Sequence, residues 1–247
     1  MHVIYKNYIF IYNYRTVAIM NTVRPQMFQK KCTKIPRPII RDLKKIHELS
    51  SKKSWEYAGA VKCKIGPTSV KFEKPSFVTS RDRRRVNLEE INTVWPSLIA
   101  YHTHPHILAV PLKNSVNKGI FATLPSNADF EVCILGFPQM QNNIICDSYG
   151  YYIIDMIDAA ERNKSPLPAG AKRTMIDFRQ RPEIQKCVFS ESGLEYYKTT
   201  LKEWKRFINK ELNAYFRKVM GITIRYYSYD DEPPYICFDI DQIINTK

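Results

Sequence analysis

Apolar residues recur at helical spacing in two stretches of the chain. Between Ile39 and Leu49 the apolar positions lie three and four residues apart, which predicts a helix. A longer stripe has the same spacing and predicts one helix from about Ser192 to Met220, capped by Gly221. The stripe consists of Leu194, Tyr197, Leu201, Trp204, Ile208, Leu212 and Tyr215. We expect it to pack against a sheet rather than to form a groove for a partner.

Other stretches have the length and composition of strands. Trp55–Ile65 and Ser69–Glu73 are separated by a Gly-Pro turn, and Leu98–Tyr101 is apolar on both faces, as a buried strand is. Two hairpins are also predicted, and their strands are Asn143–Asp147 with Tyr149–Met156 and Ile222–Tyr227 with Tyr235–Ile240. The pattern therefore mixes helices and strands along the whole chain.

This pattern divides the chain into three parts. Residues 1–38 are an N-terminal extension that is partly irregular, and residues 39–157 are the core. Residues 158–247 are a C-terminal extension of linker, long helix and hairpin, packed on the core. The first nineteen residues are too interrupted to span a membrane, which takes about 20 apolar residues, and they lack a signal-peptide pattern. We expect them to be poorly ordered or mis-assigned, with the true start at Met1 or Met20.

The charge of the chain adds a candidate surface. The 247 residues carry a net charge of +14, which favours acidic partners on electrostatic grounds. The densest basic cluster is Arg81, Arg83, Arg84 and Arg85. It is either a solvated loop or a contact for an acidic protein or nucleic acid. No membrane partner is expected.

The six cysteines are scattered and include no C-x-x-C pair. They are Cys32, Cys63, Cys133, Cys146, Cys187 and Cys237. We expect reduced, mostly buried thiols in a cytoplasmic or nuclear protein, and no role in metal binding.

Two histidines separated by one residue end the apolar run before Pro105. Side chains alternate along a strand, so His102 and His104 lie on one face and can reach one metal ion. Asp129 is the candidate for the third ligand, in the first turn of a helix that Ser126 caps. His106 follows two residues after His104, but Pro105 breaks the strand there, so we place it beside the site or toward the substrate.

The pattern H-T-H-P followed by P-S-x-x-D resembles the signature of the JAMM (MPN+) metalloprotease family. The family also has an upstream glutamate, often within E-x-x-G, and Glu56-Tyr57-Ala58-Gly59 matches that description. The resemblance covers roughly residues 39–157. His104 and Asp129 are farther apart here than in the family, so residues 106–123 form an insertion that we expect to be a loop or flap over the site.

The resemblance implies an α/β fold, a JAMM-like curved mixed β-sheet flanked by helices, with the long helix and hairpin as a C-terminal extension. It also implies that His102, His104 and Asp129 hold zinc and that Glu56 is the general acid and base. Ser126 would donate a hydrogen bond to the developing oxyanion. The implied reaction is hydrolysis of peptide or isopeptide bonds in ubiquitin or ubiquitin-like conjugates.

Three alternatives remain open at this point. The first is a catalytically inactive scaffold of the same fold that binds a partner through its basic surface. The second is an amidohydrolase barrel, which the length disfavours because such a barrel alone takes about 250 residues. The third is a nuclease, an interpretation that rests on charge alone.

Overall fold

The structure is a computed structural model, and it describes residues 30–83, 85–87, 90, 97–106, 119–155, 188–191 and 194–240. Helices combine with a mixed sheet, so the α/β class is confirmed. The strands are β1 (Lys30–Lys34), β2 (Ala58–Ala60), β3 (Cys63–Ile65), β4 (Val70–Phe72), β5 (Ser76–Val78), β6 (Ile99–Thr103), β7 (Ile120–Ala122), β8 (Asn142–Cys146), β9 (Gly150–Asp155), β10 (Val188–Glu191), β11 (Leu194–Thr199), β12 (Thr223–Ser228) and β13 (Tyr235–Asp239). The helices are α1 (Arg37–Lys53), α2 (Asn127–Gly136), α3 (Leu201–Arg206) and α4 (Asn213–Met220), with a π-helical segment (Phe207–Leu212) between the last two.

Six strands form the central sheet in the order β12-β9-β8-β6-β2-β5. β6 and β8 run parallel, whereas the other neighbouring pairs are antiparallel. The predicted hairpin of β8 and β9 is confirmed, because Asn142 pairs with Asp155 and Cys146 with Tyr151. β6 therefore lies inside the sheet, with β2 on one side and β8 on the other.

Apolar side chains cover both faces of this sheet. Ile153 of β9 packs into one cluster with Leu43 of α1. Tyr152, its neighbour, points to the opposite face and packs with Trp204 of α3 and Ile208 of the π-helical segment. Full burial of an aliphatic side chain such as Leu43 or Ile208 contributes about 1.5–3 kcal/mol to folding. These two layers hold the sheet from both sides.

Gly59 allows β5 to approach β2 closely. A Cβ atom at Gly59 would lie 1.8 Å from the carbonyl oxygen of Ser76 and 2.8 Å from the ring of Tyr101. The Tyr101 hydroxyl donates a hydrogen bond to the same carbonyl at 2.9 Å. A larger residue at Gly59 would therefore displace β5 from the sheet.

The predicted helix over 39–49 is confirmed and is longer at both ends. It begins at Arg37, where Pro38 occupies an early helical position that needs no N–H donor, and it ends at Lys53 before the left-handed Ser54. The helix predicted to start at Ser126 is also confirmed and continues to Gly136.

The single helix predicted from Ser192 to Met220 is wrong in its first part. Leu194–Thr199 is strand β11, and its backbone pairs with β7 through Tyr197 and Ala122. The helix starts only at Leu201, after the Thr200 side chain accepts a hydrogen bond from the Glu203 N–H. The apolar spacing at Leu194 and Tyr197 suits a helix, but the strand partner overrides it, and that partner is far away in sequence.

The closing hairpin predicted at the C-terminus is also wrong. β12 pairs with β9 and β13 pairs with β1, so the two strands do not pair with each other. The Gln141 side chain bonds both the N–H and the carbonyl of Asp239, at 2.7 and 3.1 Å, which satisfies backbone groups of β13. Local pattern predicts both strands correctly but not their partners.

The prediction of reduced thiols is wrong for two of the cysteines. Cys32 and Cys237 face each other across β1 and β13 and form a disulfide, with Cα atoms 4.0 Å apart. Because 205 positions separate them, the sequence spacing carries no sign of the pair. Cys63, Cys133 and Cys146 are free thiols, and Cys187 lies outside the described residues.

The strand predicted over Trp55–Ile65 is two strands rather than one. After β2 the chain leaves the central sheet, and β3 pairs with β4 instead. The predicted strand near 69–73 is confirmed as β4, and the one near 98–101 as β6. Within the predicted insertion, β7 is a strand rather than part of a loop.

Some predictions fall mostly or wholly outside the described residues. These concern residues 1–29, residues 107–118 of the insertion and the linker over 158–182 in the C-terminal extension. Among the described helices, none has the length and apolar character needed to cross a membrane.

Candidate metal centre

The candidate site begins at the end of β6. Thr103 points toward α1, where its hydroxyl donates to the Ser50 hydroxyl oxygen at 2.7 Å. His102 and His104 therefore share the opposite face, and their Nε2 atoms are 3.2 Å apart. Their side chains are 12% and 23% exposed, so both rings are partly enclosed at the C-terminal end of β6.

Asp129 reaches the histidines from the first turn of α2. Ser126 caps this helix: its hydroxyl accepts from the Asp129 N–H at 3.3 Å, and its own N–H donates to Asp129 Oδ2 at 2.5 Å. The other carboxylate oxygen, Oδ1, lies 3.0 Å from His102 Nε2, and Oδ2 lies 3.7 Å from His104 Nε2. The capping box thus fixes the carboxylate while it faces both rings.

The three side chains have the spacing of a metal site. Zinc bonds of about 2.0–2.1 Å at tetrahedral angles place neighbouring ligand atoms about 3.3 Å apart. The three distances between His102, His104 and Asp129 are 3.0, 3.2 and 3.7 Å. Among the described residues these three form the group of donor atoms suited to hold one ion. The side chains of His102, His104 and Asp129 therefore lie together, as predicted, despite the long insertion between His104 and Asp129.

Charge within the cluster favours an anionic carboxylate beside the rings. Burial alone would raise the pKa of Asp129, but positive charge and hydrogen bonds from His102 and His104 lower it well below its usual range. Burial alone would lower the pKa of His102, but Asp129 and Glu56 raise it. A cation at this position would replace that positive charge and neutralise the carboxylate.

Glu56 lies at the position opposite His104 in the register of β2 and β6. Ala58 pairs with His102, and the Thr103 N–H donates to the Tyr57 carbonyl at 2.9 Å, which continues the register by one residue and makes Glu56 and His104 the next opposite positions. Glu56 and Ala58 then share the face of the histidines. Burial raises the pKa of Glu56, although charge on His102 and His104 opposes the shift. This carboxyl group is therefore electrostatically coupled to the cluster without being one of its ligands.

The backbone around Glu56 is held on both sides. Its N–H donates to the Asp82 carbonyl at 2.7 Å, and its carbonyl accepts from the Thr79 hydroxyl at 2.7 Å. These bonds fix where the side chain of Glu56 starts, at a point where β2 has not yet begun.

Ser126 combines its capping role with a hydroxyl that keeps its capacity to donate. The oxygen uses one lone pair to accept from the Asp129 N–H, so the hydroxyl can still donate outward. Its side chain is half-buried at the start of α2, next to the carboxylate that faces the histidines. The structure thus brings this predicted residue to the rim of the cluster.

Sequence reasoning missed Thr123, which contacts a candidate ligand. Its Oγ1 lies 3.3 Å from Nδ1 of His104. Nothing in the motif marks this residue, because the contact depends on the return of the chain through β7. His47 of α1 is buried, and its Nε2 lies 3.0 Å from the His104 carbonyl oxygen. Burial lowers its pKa to about 4, so the ring is neutral.

His106 lies beside the cluster and is not part of it. Its N–H donates to the Ser51 hydroxyl oxygen at 2.9 Å, and the Ser148 hydroxyl lies 3.0 Å from its Nδ1. These contacts hold His106 beside the candidate ligands, where it supports the chain that follows His104.

The basic cluster lies near Glu56 because Asp82, which lies between Arg81 and Arg83, accepts a hydrogen bond from the Glu56 N–H. Arg81, Arg83 and Arg85 are exposed, and Arg84 lies outside the described residues. The guanidinium of Arg81 lies 5.8 Å from the centre of the Trp55 ring.

Comparisons with protein-family models, curated proteins and solved structures find no match for this chain.

Proposed function

We propose that this protein is a zinc-dependent hydrolase of peptide or isopeptide bonds with a JAMM-type site. The observation that carries the proposal is the convergence of His102, His104 and Asp129, with Glu56 opposite His104 on the same face. Two imidazoles and one carboxylate are a donor set that zinc accepts, and three protein ligands leave a fourth position open, as catalytic zinc sites do.

The protein side chains have separate tasks in this reaction. When bound, zinc would act as a Lewis acid on the scissile carbonyl and lower the pKa of a water molecule toward about 7. Glu56 accepts the proton of the attacking water and delivers it to the departing nitrogen. Its half-buried position beside the cluster keeps that carboxylate close to the reacting atoms.

The Ser126 hydroxyl donates a hydrogen bond to the oxyanion that develops on the scissile carbonyl. The Asp129 N–H holds the serine oxygen in place, so the donor is oriented before the reaction starts. The capping box therefore has two effects: it orients the Ser126 hydroxyl, and it fixes the carboxylate of Asp129 that would hold the metal.

The substrate class follows from the resemblance of the motif. We propose ubiquitin or ubiquitin-like conjugates, in which an isopeptide bond joins a C-terminal glycine to a lysine side chain. The leaving group is then the lysine ε-amine, a poor leaving group unless it is protonated. A carboxyl group that can return a proton, as Glu56 can, suits that requirement. The exposed Arg81 and Arg83 supply a basic rim that suits an acidic surface on the substrate.

A chelator-sensitive cleavage screen on the full chain tests this proposal. Zinc content would be measured first, and linked ubiquitin and ubiquitin-like conjugates would then be offered with and without chelator. We expect one equivalent of zinc, cleavage of at least one conjugate, and loss of cleavage on chelation.

Glu56→Gln is the matched control in this screen. We expect it to retain zinc and to lose cleavage, because the amide cannot accept the proton of water. Absence of both zinc and cleavage in the wild type would overturn the proposed enzymatic function and favour the catalytically inactive scaffold. One equivalent of iron instead of zinc, with consumption of oxygen, would indicate a different chemistry for the same ligand set.

A further inference from the structure

We propose that Thr123 is a positioning residue that orients the His104 ring for metal binding, and that Tyr152 and Trp204 hold Thr123 in place. The inference rests on the proposed metal site and extends it to residues outside the motif. The carrying observation is a continuous series of contacts from the His104 ring to helix α3.

The His104 ring has one nitrogen for the metal and one for Thr123. Its Nε2 faces His102 and Asp129, at 3.2 and 3.7 Å, while its Nδ1 lies 3.3 Å from Thr123 Oγ1. A metal requires the lone pair of Nε2, so the proton of the neutral ring must be on Nδ1. From there it donates to the Thr123 hydroxyl oxygen. A metal-binding histidine commonly has such a partner, which selects the tautomer and the ring angle.

Thr123 is itself held by a buried pair of aromatic residues. The Tyr152 hydroxyl donates to the Thr123 carbonyl at 2.6 Å and accepts from Trp204 Nε1 at 2.9 Å. Tyr152 is fully buried and Trp204 is 3% exposed, so water does not compete for these bonds. One hydroxyl thus joins β9, α3 and the segment that carries Thr123.

The strand before Thr123 is fixed as well. Thr123 directly follows β7, and β7 pairs with β11 through Ala122 and Tyr197. Tyr197 stacks on Trp204 with ring centres 5.6 Å apart. Both the backbone of β7 and the carbonyl of Thr123 are therefore anchored to residues 194–206. The C-terminal third of the chain consequently supports the metal centre, although it contributes none of the three ligands.

Zinc affinity of the full-length protein tests this inference, measured by competition with a chelator of known affinity. Thr123→Val keeps the shape of the side chain and removes the acceptor for Nδ1–H. We expect zinc affinity to fall about 10- to 100-fold, the usual loss when such a partner is removed. Thr123→Ser keeps the hydroxyl, and we expect it to bind zinc nearly as tightly as the wild type. Tyr152→Phe should weaken binding in the same direction, but less.

Thermal unfolding of the metal-free proteins separates positioning from a structural role. We expect metal-free Thr123→Val and Thr123→Ser to unfold at similar temperatures, although only the serine variant keeps high affinity. Equal zinc affinity in Thr123→Val and wild type would overturn the inference alone. Equal weakening in the valine and serine variants would also overturn it, because the hydroxyl would then be irrelevant. A wild-type protein that binds no zinc would overturn the proposed function, and with it this role.

Discussion

The side chain of Asp129 is 14% exposed and Asp147 is buried; both carboxyl groups lie within electrostatic reach of His104, yet their pKa values shift in opposite directions. His102 and His104 lower the pKa of Asp129 in spite of its burial. Burial raises the pKa of Asp147, and its hydrogen bonds from Tyr149, Tyr226 and Gly150 offset only part of that shift. The surroundings therefore favour the ionised form of Asp129 and disfavour the ionised form of Asp147.

The Asp147 carboxyl acts as a brace for the turn between β8 and β9. Its Oδ1 accepts three hydrogen bonds, each 2.8 Å long, from the Tyr149 and Gly150 N–H groups and from the Tyr226 hydroxyl. Its Oδ2 is buried and has no hydrogen-bond partner among the residues that the structure describes. No second metal-type donor converges on it within those residues.

Asp129, a candidate metal ligand, and Asp147, a structural carboxylate, differ in the atoms that surround them. Both aspartates are largely shielded from solvent, and both carboxylates accept hydrogen bonds. Asp129 differs because it lies at a helix N-terminus and has both oxygens directed at imidazole nitrogens. Convergence of donor atoms, rather than burial or hydrogen-bond count, identifies the candidate metal centre.

Removal of a ligand gives the largest effect and tests the comparison directly. His104→Ala removes one of the three donor groups, and Asp129→Asn replaces the charged carboxylate with a neutral amide. We expect zinc affinity to fall by more than the 10- to 100-fold that loss of a supporting contact costs. Competition with a chelator measures this loss.

Asp147→Asn and Glu56→Gln serve as controls for the ligand variants, and we expect both to bind zinc like the wild type. Wild-type affinity in Asp129→Asn would show that the ligand set is wrong. Loss of zinc in Asp147→Asn would remove the distinction between the two regions.

The candidate ligands could be predicted from sequence because each belongs to a short local pattern. His102 and His104 share a strand face by alternation, and Asp129 lies three residues after its own helix cap. Thr123 and Asp147 could not be predicted in the same way. The role of Thr123 depends on a ring nitrogen 19 positions away, and that of Asp147 depends on a tyrosine 79 positions away.

The same distinction between local pattern and long-range contacts applies to the fold. Helix α1 and the hairpin of β8 and β9 follow from local pattern and are confirmed. β11 and the partners of β12 and β13 depend on strands far away in the chain, which local spacing does not encode. The disulfide of Cys32 and Cys237 is a further product of that long-range pairing.

The second prediction concerns the brace at Asp147. Tyr226→Phe removes one of the three donors to Oδ1 from a fully buried site. We expect the free energy of unfolding to fall by about 1–3 kcal/mol, the usual cost of an unsatisfied buried group. Urea unfolding of the metal-free protein measures it. Tyr235→Phe is the matched control, because Tyr235 is 60% exposed, and a change of less than about 0.5 kcal/mol is expected there. Similar effects in both variants would refute the brace.

The third prediction concerns the helix cap at Asp129. Ser126→Ala removes the acceptor for the Asp129 N–H, and we expect unfolding to become easier by about 1 kcal/mol. Ser126→Thr retains a hydroxyl cap and should lose less. Urea unfolding of both metal-free variants provides the measurement, and an alanine variant as stable as the threonine variant would argue against the capping box.

The smallest effect is the part of the pH dependence of stability that Asp147 produces. Because its pKa is raised in the folded state, the unfolded chain ionises first as pH rises above about 3.9. Asp147 therefore stabilises the fold fully below that pH and loses this contribution as pH rises through its folded pKa. Asp147→Asn keeps an oxygen for the three donors and cannot ionise. We expect the variant to gain stability relative to the wild type from acidic to neutral pH in urea unfolding with chelator present. A difference that does not change with pH would show that Asp147 ionises as freely in the folded protein as in the unfolded chain.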